Sequence, residues 1–163
     1  MPEAFVAGLN DNTRTKTIDL LNARLSDVIS LAMATKQAHW NLRGPGFIGV
    51  HELLDEVADR LRESSDLIAE RAVILGGIAR GTTETVAAET SMEAYPVDEK
   101  DIQIHIEALK ERFLDVGAKV RAALEEAGEI GDDDTEDLFT EVSRQIDKDA
   151  WFIGANAPEP AST

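Results

Sequence analysis

Four side chains on one stretch of helical periodicity, His51, Asp55, Asp66 and Glu70, have the types and spacing to hold a metal ion. They form two i,i+4 pairs, so the two members of each pair project from one helical face. At about 100° per residue all four fall within an arc of roughly 100°. The pairs are nevertheless separated by roughly 22 Å of helix, too far for one ion to touch both. A symmetric partner removes the difficulty. His51 and Glu70 are equidistant from a point between Arg60 and Leu61, and so are Asp55 and Asp66. An antiparallel copy of the helix centred there sets His51 against Glu70 of the partner subunit and Asp55 against Asp66 of the partner subunit. Self-complementary contact of this kind is what a two-fold dimer produces. The spacing therefore predicts two equivalent metal sites at a subunit interface.

His39 is a third contributor. It lies six residues before Pro45, and His51 lies six after it. A tight helical hairpin turning at Gly44-Pro45-Gly46 brings both imidazoles to one level. One subunit then offers His39, His51 and Asp55, and its partner offers Asp66 and Glu70. Ile48 and Val73 share the same symmetry and supply apolar contact beside the site. Two imidazoles with carboxylates suit Fe(II), Mn(II) or Zn(II), and the donor set is unlike the thiolate cages of structural zinc. Ligation needs neutral imidazole, so metal affinity is expected to fall below about pH 6.5. Taken singly, each carboxylate reads as part of a solvated helix face; the shared symmetry and the hairpin level carry the metal reading. His105 has no such company and reads as structural. Trp40, beside His39, reads as core or interface packing, or as a redox-active neighbour that absorbs stray oxidising equivalents. Trp151 and Phe152 read as packing at the end of the last helix.

The elements that must position these residues are four long helices. The first is predicted from about Asn12 to Trp40, with Leu20, Leu21, Leu25, Val28, Ile29, Leu31 and Ala32 on its apolar side. The second runs from about Phe47 to Leu75 and stops at Gly76-Gly77, with a stripe of Leu53, Leu54, Val57, Leu61, Ile68, Ala72 and Leu75. The third follows Pro96, capped by Asp98, and ends before Gly128. The fourth begins in Asp132-Asp133-Asp134, where acids suit the helix dipole, and ends near Gly154. About twenty residues rich in Thr, Glu and Ala join the second helix to the third, long enough for an extended crossover. The expected fold is all-α, a ferritin-like four-helix bundle with a long crossover between the second and third long helices. It spans residues 12–154, with flexible segments at 1–11 and 155–163. On the second helix the ligand arc lies roughly 150° from the apolar stripe, so the candidate ligands face away from the bundle's own core. The Glu-x-x-His motif of interior di-iron sites is missing, because Lys36, Ile48 and Ile102 precede the three histidines by three residues.

Composition narrows the function further. The chain has 163 residues, enough for one domain with a substantial core. It has no cysteine, which excludes thiolate ligands, disulfides and thiol catalysis. Its net charge of −16, from 32 acidic and 16 basic residues, repels nucleic-acid phosphates unless its few cations are clustered, and reads either as solubility or salt adaptation or as a surface that gathers cations. No apolar run approaches a membrane span, and no stretch reads as a targeting peptide, so the cytoplasm is the expected compartment.

The string Lys36-Gln37-Ala38-His39-Trp40-Asn41-Leu42-Arg43-Gly44, followed by Phe47-Ile48 and Val50-His51-Glu52-Leu53-Leu54-Asp55, resembles the Dps family of mini-ferritins (DNA-binding proteins from starved cells). So do the twelve residues from Asp66 to Gly77, and the pieces Tyr95-Pro96, Asp132-Asp133-Asp134-Thr135 and Asp147-Lys148 through Trp151-Phe152. The resemblance covers residues 12–154. It implies a hollow dodecamer built from two-fold dimers. It also implies ferroxidase activity, with Fe(II) as substrate, hydrogen peroxide as the preferred oxidant over dioxygen, and Fe(III) mineral stored inside the shell. The family's ligands fall on His39, His51, Asp55, Asp66 and Glu70; zinc or manganese suits the same donors. Acidic three-fold pores are implied near the start of the last helix, with Asp132, Asp133, Asp134, Asp137 and Glu141 as candidates. The alternative reading is a nucleoid-compacting DNA-binding protein with incidental iron chemistry. It has little support here. The first sixteen residues hold only Arg14 and Lys16 as basic residues, against Glu3 and Asp11, and the last ten hold none.

Overall fold

The computed structural model describes residues 3–158. Residues 1–2 and 159–163, which belong to the expected terminal segments, lie outside the described residues. Five helices follow in order: α1 (Asp11–Asn41), α2 (Phe47–Ile74), α3 (Thr83–Glu89), α4 (Ile102–Ile130) and α5 (Asp133–Gly154). The four long ones form the bundle. Among the described residues the only β pairing is an isolated bridge between Arg43 and Asp101.

Three of the four long helices start where a side chain satisfies a first free N–H group. The Asn10 side chain accepts from Thr13 N at α1, Asp101 accepts from Gln103 N and Ile104 N at α4, and Asp132 accepts from Thr135 N at α5. α2 instead follows the turn at Gly46, whose φ of 79° is left-handed and suits glycine.

Contacts between helix ends fix the direction of travel. Ile102 N donates to Arg43 O and Arg43 N donates to Lys100 O, so α4 begins beside the turn between α1 and α2. The Thr13 hydroxyl, at the start of α1, donates to Ile130 O at the end of α4. The crossover therefore carries the chain back along the bundle, and α4 runs parallel to α2.

The core is continuous through the four helices. Leu21, Leu25, Val28 and Leu31 of α1 and Leu54, Val57, Leu61 and Ile68 of α2 meet Leu109, Phe113 and Val116 of α4 and Phe139, Val142 and Ile146 of α5. All of these are at most 2% exposed. Ion pairs tie α2 to α5: Arg60 with the fully buried Asp149, and Arg71 with the buried Asp132 and, at 3.7 Å, with the exposed Asp134.

Four sequence expectations need correction. The crossover is not wholly extended; it contains α3, nucleated by the Thr82 cap and by Glu84 in the first turn. The cap of α4 is Asp101, not Asp98, because the bridge to Arg43 keeps Lys100 and Asp101 extended and delays the helix. α4 runs through Gly128 to Ile130, since the left-handed position that ends it is taken by Gly131, with φ of 89°. Residues 3–10 are attached to the bundle. Phe5 N donates to Ile74 O, and Val6 and Leu9 pack against the core.

Candidate metal centre

The Gly44-Pro45-Gly46 turn returns the chain so that the last turn of α1 faces the first turns of α2. His39 and His51 stack there, with ring centroids 3.8 Å apart and planes 16° from parallel. Each ring bonds the other residue's backbone: His39 Nδ1 lies 2.7 Å from His51 O, and His51 Nδ1 lies 2.8 Å from His39 O. A carbonyl only accepts, so each Nδ1 carries the proton and donates. Both Nε2 atoms are left with a free lone pair, the arrangement by which a backbone carbonyl orients a metal-binding imidazole.

Local folding explains the clasp. His39 lies in the last turn of α1, whose carbonyls lack helical donors. Its i+4 neighbour, Arg43, turns its N–H instead to Lys100 O. The free carbonyl of His39 is thus available to His51. Phe47 stacks on the outer side of His51 at 5.1 Å. His39 is 8% exposed and His51 is half-buried.

Asp55, one turn beyond His51, brings its Oδ1 within 3.9 Å of His39 Nε2. That same oxygen accepts from Lys36 Nζ. The hydrogen bond from Lys36 holds the exposed Asp55 carboxyl below the usual carboxylate range. Lys36 also lies 5.8 Å from the centre of the Trp40 ring. Sequence reasoning missed Lys36. The available signal was its place three residues before His39, on the same face of α1.

Asp66 and Glu70 are brought to no such cluster. Both are exposed near the far end of α2. Among the described residues, no three His, Asp or Glu side chains of a single protomer are placed to hold a metal ion. Ile48 and Val73 are likewise exposed, at 60% and 46%. Trp40 is 66% exposed, which rules out core packing and leaves the interface alternative; its ring lies on the protomer surface beside Lys36. Trp151 is also exposed and touches Phe152, at 5.0 Å between rings. A trough of about 1150 Å³ runs between α1, α2 and the crossover, lined by Ile29, Met33, Trp40, Arg62, Asp66 and Ala69 among others.

The remaining candidates separate cleanly. His105 is 1% exposed; its Nδ1 accepts from the Tyr95 hydroxyl at 2.6 Å and its Nε2 donates to Glu99 O at 3.0 Å. Both nitrogens are committed, as a structural histidine requires. Of the five acids expected at a pore, Asp132 is buried, capping α5 and pairing with Arg71 at 2.6 Å, while Asp133, Asp134, Asp137 and Glu141 are exposed.

A model of the ferritin-like domain family matches residues 18–157. A DNA protection during starvation protein of Agrobacterium fabrum is 46% identical over 151 residues, covering 93% of each chain. The solved structure of DpsA14 from Streptomyces coelicolor is similar at a TM-score of 0.92 and 35% identity, covering 99% of this chain and 96% of that one. The tetragonal form of Mycobacterium smegmatis Dps is similar at a TM-score of 0.92 and 29% identity, covering 100% and 98%.

Proposed function

This chain belongs to the Dps family of mini-ferritins, and from that membership and the clasped imidazoles we propose that it is a ferroxidase that oxidises Fe(II) at intersubunit sites and stores the Fe(III) product. The observation that carries the reading is the His39–His51 pair. Two imidazoles are held with both Nε2 atoms free, at the edge of a protomer that supplies only Asp55 beside them. On this reading a two-fold partner lays its α2 antiparallel across the first, and Asp66 and Glu70 of the partner subunit complete each site.

Iron is the substrate, and the protein's part is to bind it, orient it and leave positions open for the oxidant. Imidazoles hold Fe(II), and carboxylates stabilise the greater charge of Fe(III). Two ferrous ions each give one electron to one hydrogen peroxide, whose O–O bond breaks to hydroxide-level oxygen. Hydrolysis of the two ferric ions to mineral then releases four protons to solvent for each peroxide consumed. Because both electrons of the peroxide reduction are supplied together, hydroxyl radical escapes less often than in free solution. The net charge of −16 draws cations toward the shell. Assembly into a dodecamer and work in the cytoplasm complete the proposal; among the described residues no helix is long and apolar enough to cross a membrane.

The test is ferrous oxidation by peroxide in the His51→Ala variant. The expected result is a rate reduced by more than about tenfold in a shell of unchanged mass. Oxidation at the wild-type rate would remove the assignment. A second reading takes its support from the name of the Agrobacterium relative, which is DNA protection. Removal of iron and peroxide protects DNA without contact. Here Arg14 belongs to α1, paired with Asp11 and bonded to Leu75 O, so it is not a free basic arm. A gel-shift assay at low salt is expected to show no retardation.

A further inference from the structure

We propose that Asp59 and Arg62, together with Asp59 of the partner subunit and Arg62 of the partner subunit, form a ring of four alternating charges on the two-fold axis that fixes the register of the paired α2 helices. The inference rests on the intersubunit reading of the site above and adds residues that bind no iron.

Three observations carry it. First, Asp59 and Arg62 are equidistant from the point between Arg60 and Leu61 about which the ligand pairs are symmetric. At about 100° per residue they lie roughly 30° to either side of the centre of the ligand arc. Each is only about 2 Å along the helix from the axis. In the register that sets His51 against Glu70 of the partner subunit, Asp59 therefore meets Arg62 of the partner subunit, twice.

Second, Arg62 is the only basic residue of α2 left on this face. Arg60 is committed to Asp149 and Arg71 to Asp132, both on the side packed against α5. Within the protomer Arg62 Nη1 lies 2.9 Å from Asp59 Oδ1, with the two side chains 60% and 67% exposed. Such an exposed i,i+3 pair does little for a lone chain. On the axis each charge gains a second opposite neighbour and loses water, the setting in which charge pairs govern association and register. Arg62 also lines the trough that holds Trp40 and Asp66, so the pair is continuous with the surface a second copy would cover.

Third, the ring answers a problem that the site itself creates. With no iron bound, the same register sets Asp55 against Asp66 of the partner subunit, two carboxylates with the Lys36 ammonium as the one cation bonded to Asp55. The central ring supplies the attraction that holds this register when the sites are empty.

The experiment uses the full-length chain and reads mass by light scattering, without iron. Asp59→Arg places only cations at the axis, and Arg62→Asp places only anions. Both positions are exposed in the protomer, so the fold is left alone. Each single variant is expected to associate at least about tenfold more weakly than wild type. Mixing the two in equal amounts is expected to restore the wild-type mass, because cationic and anionic chains then alternate. An ion pair internal to one chain gives no rescue in trans. Single variants that assemble like wild type, or that fail to recover on mixing, would overturn the proposal. A monomeric wild type would overturn the intersubunit reading beneath it. If wild type assembles and His51→Ala abolishes iron oxidation while both charge variants assemble normally, the ring alone is refuted.

Discussion

The seam that holds the ligand-bearing helix in place makes a quantitative test of these electrostatics. Asp149 of α5 is fully buried; its Oδ1 accepts from Arg60 Nε at 3.1 Å and Nη2 at 2.7 Å, and its Oδ2 accepts from Gln145 at 3.1 Å. Burial works against the Arg60 charge, but its bonds to Asp149 more than offset that and hold the guanidinium protonated. Arg60→Met strands the carboxylate with one amide donor. Removing one partner of a buried pair costs about 3–5 kcal/mol. The low end, about 3 kcal/mol, is expected here, because Arg60 keeps a quarter of its side chain in water. Replacing both partners, Arg60→Met with Asp149→Leu, removes the stranded charge as well and is expected to fall within about 1 kcal/mol of wild type. Urea unfolding at one fixed protein concentration measures both, since oligomer stability varies with concentration. A single-variant cost below about 1 kcal/mol would refute the reasoning.

Three further outcomes are expected. Lys36→Met frees the Asp55 carboxylate from its ammonium partner, so calorimetry with Zn²⁺, a non-redox probe, should give tighter binding; weaker binding would mean that Lys36 positions Asp55 rather than competes for it. Gly44 has φ of 142°, and a Cβ there would lie 2.6 Å from Ile102 Cγ2. Gly44→Ala should therefore cost about 1–3 kcal/mol in thermal or urea unfolding, while Gly49→Ala, inside α2 with nothing within 4 Å, should cost nothing and gain up to about 1 kcal/mol. Burial pushes the phenol of Tyr95, the chain's single tyrosine, above its ordinary range, against a smaller opposing pull from Arg112. Ultraviolet titration should show no phenolate in the folded chain at about pH 10–11, and stability should fall as pH climbs past about 10, where the unfolded chain gives up that proton first.

The parts of this molecule that a reader of the sequence can foresee are those set by local repetition. The periodic Leu and Val positions of α1 and α2 place the stripe from Leu54 to Ala72 inside and leave Asp55, Asp66 and Glu70 outside, as they lie. The level pairing of His39 and His51 follows from counting outward from Pro45. Features that depend on a distant segment stay hidden. Asp98 has as good a capping side chain as Asp101, and only the bridge to Arg43, over fifty residues away, decides between them. α3 is seven residues long with Val86 alone buried, too short to display a period. What anchors its C-terminal end is equally remote: the fully buried Asp27 of α1 accepts from Ser91 N at 2.8 Å and from the Thr90 hydroxyl at 3.1 Å. The hold of Lys36 on Asp55 joins two helices nineteen positions apart; helical spacing puts Lys36 on the face of His39 but does not name Asp55 as its partner.

That last contact bears on why a divided site suits this chemistry. A lone protomer offers iron two imidazoles and a carboxylate that an ammonium already neutralises. Its other two candidate ligands sit roughly 22 Å along the same helix, on the reading proposed here useful only to a neighbour. Such a chain binds ferrous iron poorly before it assembles, since at least one oxygen donor must displace Lys36 without help from Asp66 or Glu70. On that reading, pairing of two chains raises the negative charge around the imidazoles and completes the site in one step. Iron oxidation would then be confined to paired chains, and each ligand substitution on α2 would report on a site shared between two chains.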